Sequence, residues 1–114
     1  MHSDVLQTNF HGPKRVSEAF VGMIAPGGRI ANVSSGSASM WLREQSDATK
    51  AHFSNAGDST TWAALDAAVQ AAAGASSGMG GYGLSKAGLT AYTMIQAREH
   101  PNLLCTSLSP GEPA

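Results

Sequence analysis

The chain reads as α/β, with helices packed against a parallel sheet, and three observations carry that reading. The first is a helical stretch, a glycine-rich turn and a short strand at Arg29–Val33, with the small hydroxyl residues Ser34, Ser35 and Ser37 where the strand ends. The second is a helix from Tyr82 to Arg98, followed after Pro101 by a buried-type strand at Leu103–Leu108. The third is the turn Ser109-Pro110-Gly111 at the carboxyl end of that second strand. In open α/β sheets the ligand sits beyond the carboxyl ends of the strands, so both turns stand where chemistry would occur.

In chain order, Val5 to Ile24 has helical periodicity, with Val5, Leu6, Phe10, Val16, Phe20, Met23 and Ile24 on one broad apolar face. Gly12-Pro13 interrupts it. Proline lacks a backbone donor, so the helix either kinks there or restarts with Pro13 in its first turn. Asn9 sits just before that break, and Pro26-Gly27-Gly28 ends the helix in a turn. Ala38 to Gly81 is the least regular portion. Within it Trp41-Leu42-Arg43-Glu44 predicts one helical turn. Asp58 or Ser59 is placed to cap a helix over Thr60–Ala73, with Trp62, Leu65, Val69 and Ala72 as its apolar side and Gly74 as its end cap. Ala75 to Gly81 reads as a Ser/Gly/Met loop. In the helix that follows, Leu84, Ala87, Gly88, Ala91, Tyr92 and Ile95 supply close-packing positions.

Bulk properties narrow the function classes. The chain of 114 residues is enough for one small domain. A net charge of −1 without a basic stretch gives no footprint for nucleic acid. A single cysteine excludes an internal disulfide and fits a reducing, cytoplasmic compartment. No apolar run has the length of a membrane span, and Met1-His2-Ser3-Asp4 lacks the basic and apolar parts of a secretory signal.

The stretch that bears chemistry is Tyr82-Gly83-Leu84-Ser85-Lys86. Residues four apart share one face of a helix, one turn from each other. A free tyrosine holds its proton until about pH 10, and a neighbouring cation favours the phenolate. Carbonyl reduction needs a proton donor of this kind, because the oxygen gains a proton as the carbon gains a hydride. On its own such a pair is common, and so is a polar turn such as Ser34-Ser35. Two further strings are chance matches. Gly78-Met79-Gly80-Gly81-Tyr82-Gly83 spells a dinucleotide fingerprint but follows a loop rather than a strand. Ser54-Asn55-Ala56-Gly57 lacks a hydrophobic strand before it. His2, His11, His52 and His100 show no metal-ligand spacing, and Cys105 reads as a small apolar strand residue.

Taken together, Asn9, Ser35, Tyr82 and Lys86 resemble the catalytic tetrad of the short-chain dehydrogenase/reductase family. Thr8-Asn9-Phe10-His11-Gly12 resembles the family's Asn-bearing helix. Gly28-Arg29-Ile30-Ala31-Asn32-Val33-Ser34-Ser35 resembles the strand that ends in the catalytic serine. Tyr82-Gly83-Leu84-Ser85-Lys86-Ala87-Gly88 matches the Tyr-x-x-x-Lys helix, and Ser109-Pro110-Gly111 resembles the Pro-Gly turn that touches the nicotinamide. The long segment between Ser35 and Tyr82, with Thr-Asn-Phe-x-Gly upstream, is similar to the carbonyl reductase branch.

The resemblance implies a fold, a reaction and a set of roles. The fold is a partial doubly wound parallel sheet, Rossmann-like, lacking the N-terminal dinucleotide-binding βαβ unit. Residues 1–114 form a partial catalytic domain with an insertion from Ala38 to Gly81. The reaction is NAD(P)H-dependent reduction of an aldehyde, ketone or quinone, with NADPH favoured over NADH. Tyr82 donates the proton, and Ser35 hydrogen-bonds the carbonyl oxygen. Lys86 favours the phenolate and binds the nicotinamide ribose, and Asn9 holds a water leading to Lys86. Pro110 and Gly111 lie against the nicotinamide; Asn9, Tyr82 and Lys86 also serve the coenzyme. Partners are a small carbonyl substrate, with no nucleic acid and no membrane. Many family members associate through the two helices represented by Val5–Ile24 and Tyr82–Arg98; in the carbonyl reductase branch the insertion packs there, which implies a monomer. With only eight residues before Asn9, the chain looks like the catalytic middle of an enzyme, and by itself is expected to fold weakly and not to transfer hydride. The competing reading is a non-catalytic remnant or partner-dependent interaction module.

Overall fold

A computed structural model describes residues 2–75 and 80–110. The chain begins with α1 (His2–Leu6), continues without a break through a π-helical turn at Gln7–His11 into α2 (Gly12–Phe20), and closes in a 3-10 turn at Val21–Met23. Strand β1 (Arg29–Val33) follows, then α3 (Gly36–Arg43), α4 (Asp47–Ser54), α5 (Trp62–Ala75), the long α6 (Gly80–Glu99) and β2 (Leu104–Leu108). The two strands pair in parallel, from Arg29 opposite Leu104 to Val33 opposite Leu108. The α/β class and the parallel sheet read from the sequence are thus present.

Helix α6 is the element on which the others pack. Leu84 and Ile95 on it are fully buried, and Leu65 and Val69 of α5 and Phe10 of the π turn join them in one core. Phe10 stacks on Trp62 with ring centroids 4.8 Å apart, and Trp62 meets Tyr92 edge-on at 5.4 Å. Burial pushes the Tyr92 phenol from 10.0 up to about 12, with the charges of Glu18 and Glu99 adding to it. The loop before α5 is tied to α6 by Arg98, which donates to the carbonyls of Ala56 at 3.0 Å and Thr60 at 2.6 Å.

The inward face of β1 is polar towards its carboxyl end. Asn32 is buried and donates to Thr93 Oγ1 at 2.9 Å and Gln96 Oε1 at 3.1 Å. Ser34 lies two residues on, against Thr90 Oγ1 at 2.6 Å, and donates to the Lys86 carbonyl at 3.2 Å. Thr90, Thr93 and Gln96 fall on the side of α6 that faces the strand, as spacings of three and three predict.

Several sequence expectations are corrected. The apolar face drawn over Val5–Ile24 holds only in its first half. Leu6 and Phe10 are buried, whereas Val16, Phe20 and Met23 are exposed, because it is α1 and the π turn that pack on α6. The irregularity falls at Gln7–His11 rather than at Gly12-Pro13. The Gly12 N–H reaches back five residues to the Gln7 carbonyl, and Pro13 has no N–H to offer the carbonyl four residues before it, that of Asn9. The segment from Ala38 is largely helical: α3 starts at Gly36 instead of Trp41, and α4 was not anticipated. Helix α5 is capped by Thr61, whose Oγ1 accepts from the Ala64 N–H at 3.1 Å, not by Asp58 or Ser59. Gly74 lies inside α5 and does not end it. Strand β2 is buried on one side: Cys105 is covered, and Leu104 and Leu108 are exposed. Burial pushes the Cys105 thiol up, which suits a packing residue and not a nucleophile.

Gly88 is where α6 admits Phe10. A Cβ there would stand 2.8 Å from Phe10 Cδ1 and 3.3 Å from Val69 Cγ2. Both neighbours are fully buried, so neither can give way into solvent. Gly88→Val is expected to lower stability by about 1–3 kcal/mol through overpacking, read as a reduced midpoint in urea denaturation.

Candidate active site

Tyr82 and Lys86 stand on successive turns at the start of α6, as their spacing predicts. The phenol is open, with Tyr82 48% exposed, and its hydroxyl bonds nothing among the described residues. The Lys86 ammonium lies 5.8 Å from the centre of the Tyr82 ring, within reach of a cation–π attraction, and donates to the Val33 main-chain carbonyl at 3.0 Å. In this parallel ladder the Ser34 N–H goes to the Leu108 carbonyl and the Leu104 N–H to that of Gly28. Alternation therefore turns the Val33 carbonyl away from β2. Lys86 thus binds the outward edge of β1, one residue before Ser34.

Ser35 ends β1 and begins α3. Its backbone is extended, and its Oγ accepts from the Ser37 N–H at 3.1 Å, which makes it the N-cap of α3. That bond uses the oxygen as acceptor and leaves the hydroxyl proton without an acceptor among the described residues. Helix α3 brings this corner close to α6 because Gly83 faces it. A Cβ at Gly83 would stand 2.9 Å from Trp41 Cβ and 3.0 Å from the Ser37 carbonyl oxygen. Ser34, Ser35, Gly36, Ser37, Met40, Tyr82, Ser109 and Pro110 line a cleft of about 350 Å³ at the carboxyl ends of both strands. Two hydroxyls without acceptors among the described residues, Ser35 and Tyr82, thus border one opening, which suits an oxygen acceptor between them.

Asn9 sits in the π turn and does not line this cleft. Its Nδ2 donates to Ser85 Oγ at 3.2 Å, and Ser85, fully buried, donates in turn to the Tyr82 carbonyl at 2.6 Å. Of the residues proposed from sequence, then, Ser35, Tyr82 and Pro110 meet at the cleft and Lys86 flanks Tyr82. Asn9 reaches the same helix from behind, and Gly111 lies outside the described residues. Ser34 is structural: it is buried and spent on Thr90 and Lys86. Of the fingerprint-like string, Gly78 and Met79 lie outside the described residues, and Gly80 opens α6. Asn55-Ala56-Gly57 is a turn after α4. His11 pairs with Asp66 at 2.8 Å, and no cluster of metal-binding side chains occurs among the described residues. Sequence reasoning passed over Asn32, Ser85, Thr90, Thr93 and Gln96. The available signal was a polar stripe along α6 facing alternate polar residues of β1.

The two parallel strands, the hydroxyl-bearing turns at their ends and the Tyr-Lys helix form a Rossmann-like piece of a short-chain dehydrogenase/reductase fold. Salutaridine reductase from Papaver somniferum matches it with a TM-score of 0.82 at 27% sequence identity, over 96% of this chain. This chain spans 41% of the length of that protein. No protein-family model matches the sequence, and no curated protein does.

The cap makes a prediction about Ser35 apart from any chemistry. Ser35→Ala is expected to cost about 1 kcal/mol, and Ser35→Asp to retain most of that stability because a carboxylate caps equally well. Urea denaturation of the two variants beside wild type checks it.

Proposed function

We propose that these residues are the catalytic part of an NAD(P)H-dependent carbonyl reductase that acts on aldehydes, ketones or quinones. The observation that carries the reading is the pair of hydroxyl donors, Ser35 and Tyr82, without acceptors among the described residues, on one cleft with the Lys86 ammonium beside the phenol. Likeness to a plant reductase supports it. In this reading Ser35 donates its hydrogen bond to the substrate carbonyl oxygen and holds it. Tyr82 delivers the proton to the same oxygen, and Lys86 stabilises the phenolate left behind. Asn9 holds water on the path by which the phenol regains its proton.

The residues present suit one end of the coenzyme. The cleft of about 350 Å³ offers hydroxyls and the face of Pro110 to a nicotinamide riboside, and Lys86 can trade the Val33 carbonyl for ribose oxygens. When bound, the coenzyme supplies the hydride. NADPH is the proposed form, and the pyrophosphate and adenosine require protein beyond the groups described, as the 41% coverage of the salutaridine reductase chain leaves room for. A reducing, cytoplasmic setting agrees with the free, buried Cys105.

A second reading, a partner-dependent module without catalysis, is favoured by one observation. Val33, Leu104 and Leu108 on the sheet, and Val16, Phe20 and Met23 on the first helical stretch, are exposed apolar groups. The two readings separate on Tyr82. In a full-length protein carrying these residues, Tyr82→Phe is expected to lower NADPH-dependent turnover of a reactive quinone by roughly 10²–10⁴ while coenzyme affinity stays nearly unchanged. Turnover above about a tenth of wild type would remove Tyr82 as the donor.

We also propose that the protein is monomeric. Support comes from the packing of helix α5, part of the long segment between Ser35 and Tyr82, on α6 with Leu65 and Val69 buried; in the carbonyl reductase branch that the sequence resembles, such a segment covers the associating helices. Light scattering of the full-length protein is expected to give a monomer mass; a stable dimer or tetramer overturns the proposal.

A further inference from the structure

Ser85 stands between the two halves of the candidate site, and nothing in the proposed chemistry uses it. It is fully buried at the first turns of α6, and it makes two hydrogen bonds of opposite sense. Its oxygen accepts from Asn9 Nδ2 at 3.2 Å, and its proton goes to the Tyr82 carbonyl at 2.6 Å. A hydroxyl has a single proton. Because that proton is committed to a carbonyl, which can only accept, whatever faces Ser85 from the π turn has to donate. An asparagine amide has a donor end and an acceptor end of nearly equal shape. Ser85 therefore decides which end of Asn9 faces α6 and which faces away. The amide nitrogen is drawn inward, and Oδ1 is left as an acceptor with no partner among the described residues.

We infer that Ser85 is a positioning residue: it fixes the amide orientation of Asn9 and fastens the π turn to the helix bearing Tyr82 and Lys86. The inference rests on the proposed function for its catalytic consequence but not for its structural content. With the nitrogen turned in, Asn9 offers Oδ1 as a hydrogen-bond acceptor, the polarity that orients a water molecule on the path to Lys86 without taking its proton. Without Ser85 the amide is free to rotate by half a turn and to offer a donor instead. The widened turn also loses the one side-chain hydrogen bond from Asn9 to α6 among the described residues, so the position of the amide becomes less defined together with its orientation. The hydroxyl at Ser85 is required for both, and an apolar side chain of the same size keeps the packing and loses the orientation.

Two measurements test this separately. The first uses the chain itself and needs no activity: exchange of the Asn9 side-chain amide protons, followed by NMR beside those of the exposed Asn55. In wild type the Asn9 amide is expected to exchange about ten-fold or more slowly than that of Asn55, and in Ser85→Ala to exchange at the Asn55 rate while main-chain protection along α6 is kept. Equal exchange at Asn9 in wild type and Ser85→Ala overturns the inference. The second is kinetic, in a full-length protein with Tyr82-dependent turnover. Ser85→Ala and Asn9→Ala should displace the pH profile of kcat in the same direction with KM for coenzyme unchanged, and the double variant should fall no lower than the worse single one. Losses that add fully mean that Ser85 does not act through Asn9 and overturn it. Absence of any Tyr82-dependent turnover overturns the reductase reading alone, and the exchange experiment then decides the role of Ser85.

Discussion

Strand β1 and helix α6 are joined by directional hydrogen bonds rather than by interchangeable apolar contacts. Asn32 reaches Thr93 and Gln96, and one strand repeat later Ser34 reaches Thr90 and the Lys86 carbonyl. Apolar side chains of similar volume can slide past one another at small cost. A buried amide cannot, since displacement leaves unpaired polar atoms at about 1–3 kcal/mol each. The seam therefore fixes how far along α6 the strand ends. Ser35 directly follows that end, and Lys86 and Tyr82 lie one and two turns before Thr90. Their relation across the cleft is thus set by groups that never touch a ligand.

The second constraint is the shortage of side chain on α6. Gly83 lets α3 come in from one side, carrying Ser35 and its cap, and Gly88 lets Phe10 come in from another, carrying the π turn and Asn9. Any larger residue at either point would push one wall of the site outward while leaving the chemistry-bearing residues unchanged. The composition of α6, rich in glycine and alanine near its start, is therefore a packing requirement. It does not weaken the core as a simple count of apolar volume would suggest.

What was legible in the sequence follows from this division. Arg29–Val33 and Tyr82–Arg98 were readable from their boundaries, the Pro26-Gly27-Gly28 turn and the serines on either side of the strand and Pro101 after the helix, and Tyr82, Lys86 and Ser35 because their spacing and place carry chemical meaning. Helix α4 was not readable: its Asp47–Ser54 run holds one buried apolar residue, Phe53, too few to set a period. The exposure of Val16, Phe20 and Met23 was not readable either, since an apolar face says what could be covered and not what covers it. Asn32, Thr93 and Gln96 look like surface residues until strand and helix are laid together. Ser85 was hidden in plain view inside the motif, because its use depends on a residue far away in the chain.

The turn at Gln7–His11 has a consequence for comparing this chain with others. A π turn is an α-helix with one residue inserted, and each residue in an α-helix advances about 100° around the axis. The apolar positions before the turn, such as Leu6, and those after it, such as Val16 and Phe20, are therefore out of phase by that angle. An ungapped alignment to a helix without the insertion would match one half and rotate the other onto the wrong face. For a helix without the insertion the gap belongs beside Asn9, where this helix turns towards the site.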